Sequence, residues 1–254
     1  MSLSERSARL AEELRRRILV LDGAMGTMIQ SRGLSAEDFG GARYEGCNEH
    51  LNLTRPDVIA AIHDAYLEAG ADLISTNTFG CAPYVLAEYD LAERCYDITL
   101  AAARLCREAA DRTSTPDRPR FAIGAMGPGT RTITVTANVT FDEVREGYYR
   151  QAPALIEGGV DALLLETCQD TLKVKAAAIG VKQAMAEAGV TLPLMISGTV
   201  EPMGTMLAGQ GVDALYASVE HLGLFSIGLN CATGPEFMTD HLRTLSDVAT
   251  CFVT

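Results

Sequence analysis

Four side chains able to bind or react stand just beyond short apolar runs of this 254-residue sequence. Asp22, Asn77 and Glu166 each follow such a run directly, and Cys231 lies two residues beyond another. A carboxylate can hold an ammonium group, and a thiol that has lost its proton can act as a nucleophile or a metal ligand. If the runs are strands that end at one edge of a sheet, the four groups form a single site.

The segment Leu21–Thr27, LDGAMGT, adds a glycine-rich turn directly after the first run. It lacks the lysine of a P-loop and the third glycine of a dinucleotide fingerprint, so nucleotide binding has little support. The amides of Gly23 and Ala24 can instead bind a small anion such as a carboxylate, while Asp22 accepts hydrogen bonds from an ammonium group. The residues alone also allow, and favour, a simple tight turn in which Asp22 caps the next helix.

Glu166 ends the strongly apolar run Ala162–Leu165, so burial makes its unpaired charge costly. The carboxylate needs a cation or hydrogen-bond donors from a ligand. An internal salt bridge to Lys173 or Lys175 satisfies the same requirement. On spacing alone the two interpretations are equally supported.

Cys231 stands just before Thr233, at which a helix is predicted to begin, and a helix N-terminus favours a thiolate. A buried, inert cysteine is the commoner case for such a residue. No neighbouring Cys or His has the spacing of further zinc ligands. The histidines form no ligand pattern either, and three of them are predicted at helix surfaces or helix ends: His63, His221 and His241.

Seven apolar runs, each preceded by a helix-like stretch, are the elements that must position these groups. They are Ile18–Leu21, Leu73–Thr76, Phe121–Ala125, Ala162–Leu165, Leu192–Ile196, Phe225–Leu229 and a last run from Cys251. This alternation predicts parallel strands joined by crossover helices. Threonines at 54, 140 and 233 are predicted to cap three of the helices.

Nearly every run is followed by polar or small residues, which favours a closed barrel over an open doubly wound sheet. The sequence therefore predicts an α/β fold of the (β/α)8 TIM type, forming one domain over residues 1–254. Only about seven strands can be counted. The eighth strand and its helix are absent, so we expect a barrel that is incomplete at its C-terminal end.

Charge and composition exclude several classes of function. Lys+Arg total 21 against 33 Asp+Glu, a net charge of −12 that repels nucleic acid and anionic membrane surfaces. No apolar run has the length of a membrane span, and the charged start lacks the apolar centre of a signal peptide. Seven widely spaced cysteines without a CxxC pair predict reduced thiols and a cytoplasmic location.

Five ordered motifs together closely resemble the homocysteine-binding module of cobalamin-dependent methionine synthases. They are LDGAMGTMIQ at 21–30, ADLISTNTFG at 71–80, GGVDALLLETCQDTLKVKAA at 158–177, MISGTV at 195–200 and GLNCATGP at 228–235. The likeness runs from about residue 17 to the last residue. Homocysteine methyltransferases that use betaine or S-methylmethionine are similar but more distant.

The resemblance implies a barrel whose mouth holds zinc and homocysteine. It makes Cys231 a zinc ligand, assigns Asp22 and Glu166 to the substrate ammonium, and gives the carboxylate to the amides of Gly23 and Ala24. Asn77 would line the pocket. Zinc would activate the homocysteine thiol, which accepts a methyl group from methylcobalamin, itself methylated by 5-methyltetrahydrofolate, to give methionine. The cobalamin and folate sites would lie on separate modules of the same parent protein.

One departure from the family pattern affects this interpretation. The family's other two zinc ligands are a paired Cys-Cys near the end of the module, and no such pair is present here. Cys251 does not match it. We therefore expect the chain alone to be inactive, and two alternatives stay open: a catalytically incomplete homocysteine-binding or scaffold fragment, and a methyltransferase with a different methyl donor. A lyase or aldolase that uses a lysine is disfavoured, because the only lysines lie on one helix outside the barrel.

Overall fold

Helices and parallel strands alternate along the chain, as the sequence pattern predicts. A computed structural model describes residues 2–254. Its strands are β1 (Leu73–Ser75), β2 (Phe121–Met126), β3 (Ala162–Cys168), β4 (Leu194–Gly198), β5 (Ser226–Leu229) and β6 (Phe252–Val253). Its α-helices are α1 (Leu3–Arg16), α2 (Met25–Gln30), α3 (Leu51–Thr54), α4 (Pro56–Ala69), α5 (Pro83–Leu86), α6 (Cys95–Thr113), α7 (Phe141–Glu157), α8 (Thr171–Glu187), α9 (Val212–Val219) and α10 (Pro235–Val248). Short 3₁₀ turns lie at Ala42–Tyr44, Asn48–His50, Ala87–Tyr89, Ala92–Arg94 and Glu220–Leu222.

The six strands form one parallel sheet in the order β1 to β6, which is also their order in the sequence. A doubly wound sheet reverses direction at a switch point, whereas a barrel adds each strand beside the last. Every residue of β2 and of β4 is buried, as expected for strands covered on both faces. The predicted α/β barrel type is confirmed, and the barrel formed by residues 2–254 is open.

The predicted first strand, Ile18–Leu21, is wrong as a strand. Leu21 forms only an isolated parallel bridge with Leu73, and Val20 accepts hydrogen bonds from the amides of Asp72 and Leu73. The segment thus follows the free edge of β1 but pairs over too short a length to form a strand. Ile18 is 89% exposed, because no second neighbour covers this edge within residues 2–254. The sheet therefore has six strands rather than seven.

The predicted helix starts are partly confirmed. Thr140 caps α7 through a capping box in which its side chain and that of Glu143 exchange hydrogen bonds with backbone amides. The other two predicted caps are wrong. Thr54 ends α3, and the N-cap of α4 is Arg55, because Pro56 is the first helical residue. For the same reason α10 starts at Pro235 after Gly234 rather than after Thr233.

Helix α1 covers the N-terminal ends of the strands. Its Leu10 is fully buried against Leu73, Phe121 and Ala162, each of which is the first residue of its strand. Salt bridges attach the same helix to acidic residues that precede the strands. Because this end is filled and held together by charge pairs, we place the functional site at the opposite, C-terminal ends of the strands.

Gly180 lets α7 and α8 pack unusually closely. A Cβ atom at this position would lie 2.2 Å from the backbone oxygen of Arg145 and 3.0 Å from the amide nitrogen of Tyr149. These are backbone atoms, so neither can move without displacing the helix.

We expect Gly180→Ala to lower the free energy of unfolding by about 1–3 kcal/mol, since overpacking outweighs the better helix propensity of alanine. Urea denaturation measures this loss. Gly189→Ala is the control, because its position lies in open space at the end of α8 and carries only the strain of a positive φ of 66°. A Gly180→Ala protein as stable as the wild type would contradict the close helix contact.

All seven cysteines are free thiols. Five are buried, Cys251 is half-buried and Cys231 is exposed. No helix among residues 2–254 combines the length and the apolar character that a membrane span requires.

Candidate functional site

Asp22 lies beside the C-terminal end of β1, where Ser75 fixes its carboxylate. The Ser75 hydroxyl donates to Oδ1 at 2.9 Å and the Ser75 amide donates to Oδ2 at 2.8 Å. Burial nevertheless raises the pKa of Asp22 to about 7, because the two hydrogen bonds offset only part of the lost hydration. The carboxyl group is thus held in place by Ser75, and no cationic side chain among residues 2–254 pairs with it.

Glu166 lies near enough to Asp22 to be affected by its charge, and its carboxyl group is likewise buried. Burial, and then the negative charge of Asp22, raise the pKa of Glu166 to about 7. Neither carboxylate has an ion pair with a cationic side chain among residues 2–254, and Lys173 instead donates to the backbone oxygen of Arg131. The predicted alternative of a salt bridge from Glu166 to a lysine is therefore wrong. Two buried carboxyls that influence each other and lack a cationic partner among residues 2–254 are an arrangement suited to an ammonium group.

The glycine-rich turn follows Asp22 and precedes α2. Gly23 and Ala24 are both exposed, and their amides donate no hydrogen bond within the described part of the chain. Tyr66 packs on this turn, since its hydroxyl lies 3.5 Å from the Ala24 oxygen and 3.3 Å from where a Cβ of Gly23 would be. The turn thus presents two free N–H donors beside an anion, an arrangement that can bind both ends of an amino acid.

Cys231 lies in the loop after β5, with its side chain exposed. Its Sγ lies 3.1 Å from Nδ2 of Asn230 and 3.9 Å from Oγ1 of Thr167. Because Thr167 directly follows Glu166, these contacts bring the thiol to the strand end that carries the Glu166 carboxylate. Asp22, Glu166 and Cys231 are thus collected at one end of the sheet, around the ends of β1, β3 and β5.

The backbone at this end is strained. Thr167, Cys231 and Ala232 have φ values of 55°, 60° and 53°, in the left-handed region that residues with a Cβ rarely adopt. The cost is greatest for a β-branched residue such as Thr167. Strained residues of this kind cluster at functional sites, where surrounding contacts hold them.

Asn77 is buried and faces a different part of the molecule. Its Nδ2 donates to the Asn48 oxygen at 2.8 Å and to Oδ1 of Asn52 at 3.1 Å, and Asn52 donates back to the Asn77 oxygen at 2.9 Å. The side chain therefore joins the chain just after β1 to α3 and to the 3₁₀ turn before it. Its role as a pocket residue stays a prediction.

A zinc ion does not fit the residues described here on their own. No group of three or more His, Cys, Asp or Glu side chains that could hold a metal is present among residues 2–254. The partners of the Cys231 sulfur are an amide and a hydroxyl, whereas a catalytic zinc needs three protein ligands of the Cys, His or carboxylate type. Cys231 is thus at most one ligand of an incomplete set.

Sequence reasoning missed Ser75 and Thr167. Both stand at the C-terminal end of a strand, which is the only signal that marks them. The prediction that His63 lies at a helix surface is wrong, since this residue is fully buried in α4 with neither ring nitrogen hydrogen-bonded. Burial lowers the pKa of His63 to about 4, which keeps the ring neutral. A single histidine on an amphipathic helix gives no sign of which face it occupies.

Known proteins resemble this chain in sequence and in fold. The methionine synthases of Mycobacterium leprae and Mycobacterium tuberculosis are 48% and 47% identical over 237 residues, which cover 93% of this chain. The chain spans about one fifth of their length, 19% and 20%. The homocysteine methyltransferase MmuM from Escherichia coli, solved in its apo form, superposes with a TM-score of 0.72 over 95% of this chain and 82% of its own.

At 20% identity the MmuM likeness establishes the fold alone, a TIM-type barrel that is incomplete here. The sequence profile of homocysteine S-methyltransferases matches residues 19–254, nearly the whole chain. This match includes Asp22, Glu166 and Cys231. The chain belongs to the homocysteine S-methyltransferase family.

Proposed function

We propose that this chain is the homocysteine-binding module of a methionine synthase. The observation that carries the proposal is the grouping of Asp22, Glu166 and Cys231 at one end of the barrel, beside the free amides of Gly23 and Ala24. Homocysteine has an ammonium group, a carboxylate and a thiol, and this end of the barrel offers a complement to each. In this role, Asp22 and Glu166 hold the ammonium and the two amides hold the carboxylate.

The orientation of the substrate follows from these contacts. With its amino-acid end fixed at β1 and β3, homocysteine extends its sulfur toward the loop after β5, where Cys231 lies. Ser75 keeps the Asp22 carboxylate aimed at the ammonium. The strand ends thus perform the positioning part of a methyl transfer by fixing the sulfur where a donor can approach from the open mouth.

Zinc and methylcobalamin belong to the proposal through the resemblance to methionine synthases. Residues 2–254 do not make a zinc site, so the proposal gives Cys231 as one ligand and takes the others from outside these residues. Methylcobalamin, on a separate module, is the proposed donor, because the similarity to methionine synthases at 47–48% is far above the 20% identity to MmuM. A donor such as S-methylmethionine or betaine is the alternative. The cytoplasmic location stays a prediction.

The same observations support a second candidate function, homocysteine binding without catalysis by this chain alone. It is favoured by the missing metal ligands and by the free sheet edge at Ile18 and Val20, which are 89% and 54% exposed. An open strand edge of this kind pairs readily with another chain. Zinc analysis during a homocysteine titration separates the two: about one equivalent of metal per chain supports the enzyme, and metal-free protein that still binds homocysteine supports the binding module.

In any protein that contains this chain with the remaining zinc ligands, we expect Cys231→Ala to abolish stoichiometric zinc binding. Removing one thiolate from a three-ligand site leaves too few ligands for tight binding. Metal content by mass spectrometry after dialysis measures the loss. Cys251→Ala is the matched control, because Cys251 lies next to β6 and is half-buried away from the Cys231 loop. Zinc content that is the same in the Cys231→Ala protein and the wild type would refute the assignment.

A further inference from the structure

The side chain of Asn230 forms the shorter of the two hydrogen-bond contacts that the structure describes for the sulfur of Cys231. Its Nδ2 lies 3.1 Å from Cys231 Sγ and 2.8 Å from Thr167 Oγ1. Its Oδ1 lies 3.1 Å from the Thr167 amide nitrogen and 2.7 Å from Ser197 Oγ. Thr167 and Ser197 each lie one residue before the end of their strands, β3 and β4, so one amide side chain links the loop that carries Cys231 to the ends of both strands.

These partners fix which way the amide faces. The backbone N–H of Thr167 can only donate, so the atom opposite it must be the carbonyl oxygen of the side chain. The NH₂ group then faces Cys231 Sγ and Thr167 Oγ1 and donates to both. A flipped amide would place two N–H groups against each other and leave the Thr167 amide unpaired. The sulfur of Cys231 therefore receives a hydrogen bond from Asn230.

The strained backbone makes this hydrogen bond more than a surface contact. Thr167, Cys231 and Ala232 all have positive φ values, and such conformations persist only where neighbouring contacts hold them. Asn230 also bonds through its backbone, with its amide donating to the Gly198 oxygen and its oxygen accepting from Thr199 Oγ1. The bonds of Asn230 thus connect the strained residue at the end of β3, Thr167, to the strained loop after β5.

We propose that Asn230 is a positioning residue that aims the Cys231 sulfur at the sulfur of homocysteine bound through Asp22 and Glu166. The inference rests on the proposed function, because it takes the ammonium position from the two carboxylates. Among residues 2–254, the only side chains that hydrogen-bond to the Cys231 sulfur are those of Asn230 and Thr167. Without the amide, the exposed thiol loses the hydrogen bond that selects one of its side-chain rotamers.

The test uses L-homocysteine whose sulfur carries a 2-thiopyridyl group. The Cys231 sulfur loses its proton to solvent and attacks the homocysteine sulfur, and a Cys231–homocysteine disulfide forms. The bond to the thiopyridyl group breaks, and that group leaves with the electron pair as 2-thiopyridone, which is followed by its absorbance. The dependence on reagent concentration gives a half-saturation concentration and a maximum rate. A Cys251→Ala background removes the other accessible thiol.

A second reagent, 2,2′-dithiodipyridine, has no amino-acid group and measures the undirected reactivity of the same thiol. We compare the maximum rate with the homocysteine reagent to the rate with 2,2′-dithiodipyridine. Their ratio reports only how well the Cys231 sulfur is oriented toward the bound reagent, since both reactions depend equally on the reactivity of this sulfur. Asn230→Asp keeps the size of the side chain and the acceptor for Ser197 but replaces the N–H donor by an oxygen. Asn230→Ser is a second, smaller replacement. Ser197→Ala is the matched control, since it removes one bond to Oδ1 and leaves the donor to Cys231 in place.

We expect the ratio to fall about fivefold or more in Asn230→Asp and Asn230→Ser and to change less than about twofold in Ser197→Ala. The half-saturation concentration should stay within about twofold of the wild-type value in Asn230→Ser, because the residues that bind the amino-acid end of the reagent are unchanged. An unchanged ratio in a folded Asn230 variant overturns the inference and leaves the proposed function standing. Rates that do not saturate, or that are equal for the D enantiomer, overturn the proposed function instead. Unfolding of both Asn230 variants would show a purely structural residue and also overturn the inference.

Discussion

Replacing Glu166 by Gln is expected to weaken homocysteine binding by about 1–3 kcal/mol, the scale of one hydrogen bond to a charged group. The side chain keeps its size and loses the charge that faces the ammonium. Isothermal titration of homocysteine at pH 8 measures the difference. Glu108→Gln on the outer surface of α6 removes the same charge far from the mouth and should bind as the wild type does. Equal affinity in the Glu166→Gln protein would remove Glu166 from the site.

The pH dependence of the same binding follows from the two carboxyl groups. Burial raises the pKa of Asp22 and of Glu166 to about 7, so at pH 6 both are largely protonated and cannot pair with an ammonium. Affinity for homocysteine should therefore rise between pH 6 and pH 8, with protons released on binding in the lower part of this range. In the Glu166→Gln protein the rise should be smaller, because one of the two groups no longer titrates. A flat wild-type profile would contradict the paired-carboxylate site.

The ligand-free protein should show the opposite trend in stability. The ordinary pKa values of Asp and Glu, 3.8 and 4.5, are raised in the folded state, so between pH 4 and 7 the folded protein binds more protons than the unfolded chain. The contribution of these groups is fully present below about pH 4 and is lost as pH rises through about 7. At pH 8, Glu166→Gln should therefore unfold a few degrees above the wild type while binding more weakly. The two unpaired carboxylates thus lower the stability of the ligand-free protein at pH 8 and strengthen homocysteine binding at the same pH.

Much of the fold follows from the sequence because its signals are local and repeated. The runs that became β2 to β5 carry the period and flanks of buried parallel strands, and the polar residues that end them come to lie at one edge. The Ile18–Leu21 run has the same composition and still pairs only at Leu21, since pairing depends on a neighbour and not on its own residues. The residues of a run therefore do not indicate whether it will lie at the edge of the sheet.

The candidate site was predictable to the extent that strand ends mark it. Asp22, Glu166 and Cys231 could be placed at one mouth once parallel strands were assumed. Their environment could not be predicted. Among residues 2–254 no cation pairs with Glu166, because Lys173 donates to the Arg131 oxygen instead, and the sequence does not indicate this choice of partner. The Asn230 contacts likewise depend on positive φ values at Thr167 and Cys231 that neither residue type suggests.

The largest loss of stability is expected at the opposite end of the barrel, at Asp161. This residue is fully buried before β3 and accepts hydrogen bonds from Arg6 Nε at 2.6 Å, Arg107 Nη1 at 2.5 Å and the Ala122 amide at 2.8 Å. It thereby joins α1, α6 and β2 to the start of β3. Asp161→Ala would leave the buried Arg107 guanidinium without this partner.

We expect Asp161→Ala to lower the free energy of unfolding by about 3–5 kcal/mol, because the buried Arg107 guanidinium then keeps only its ion pair with the largely exposed Asp111, and the Ala122 amide loses its acceptor. Asp161→Asn keeps an acceptor for the Ala122 amide and should lose less. Asp64→Ala is the control. The side chains of Asp64 and Arg112 are 39% and 53% exposed, so the loss of their ion pair should lower the free energy of unfolding by less than about 1 kcal/mol. Urea denaturation compares the three.

The homocysteine affinity of the folded Asp161→Asn protein should equal that of the wild type, since Asp161 lies at the end of the barrel opposite the proposed binding site. A loss of affinity that accompanies the loss of stability would show that the two ends of the barrel are coupled.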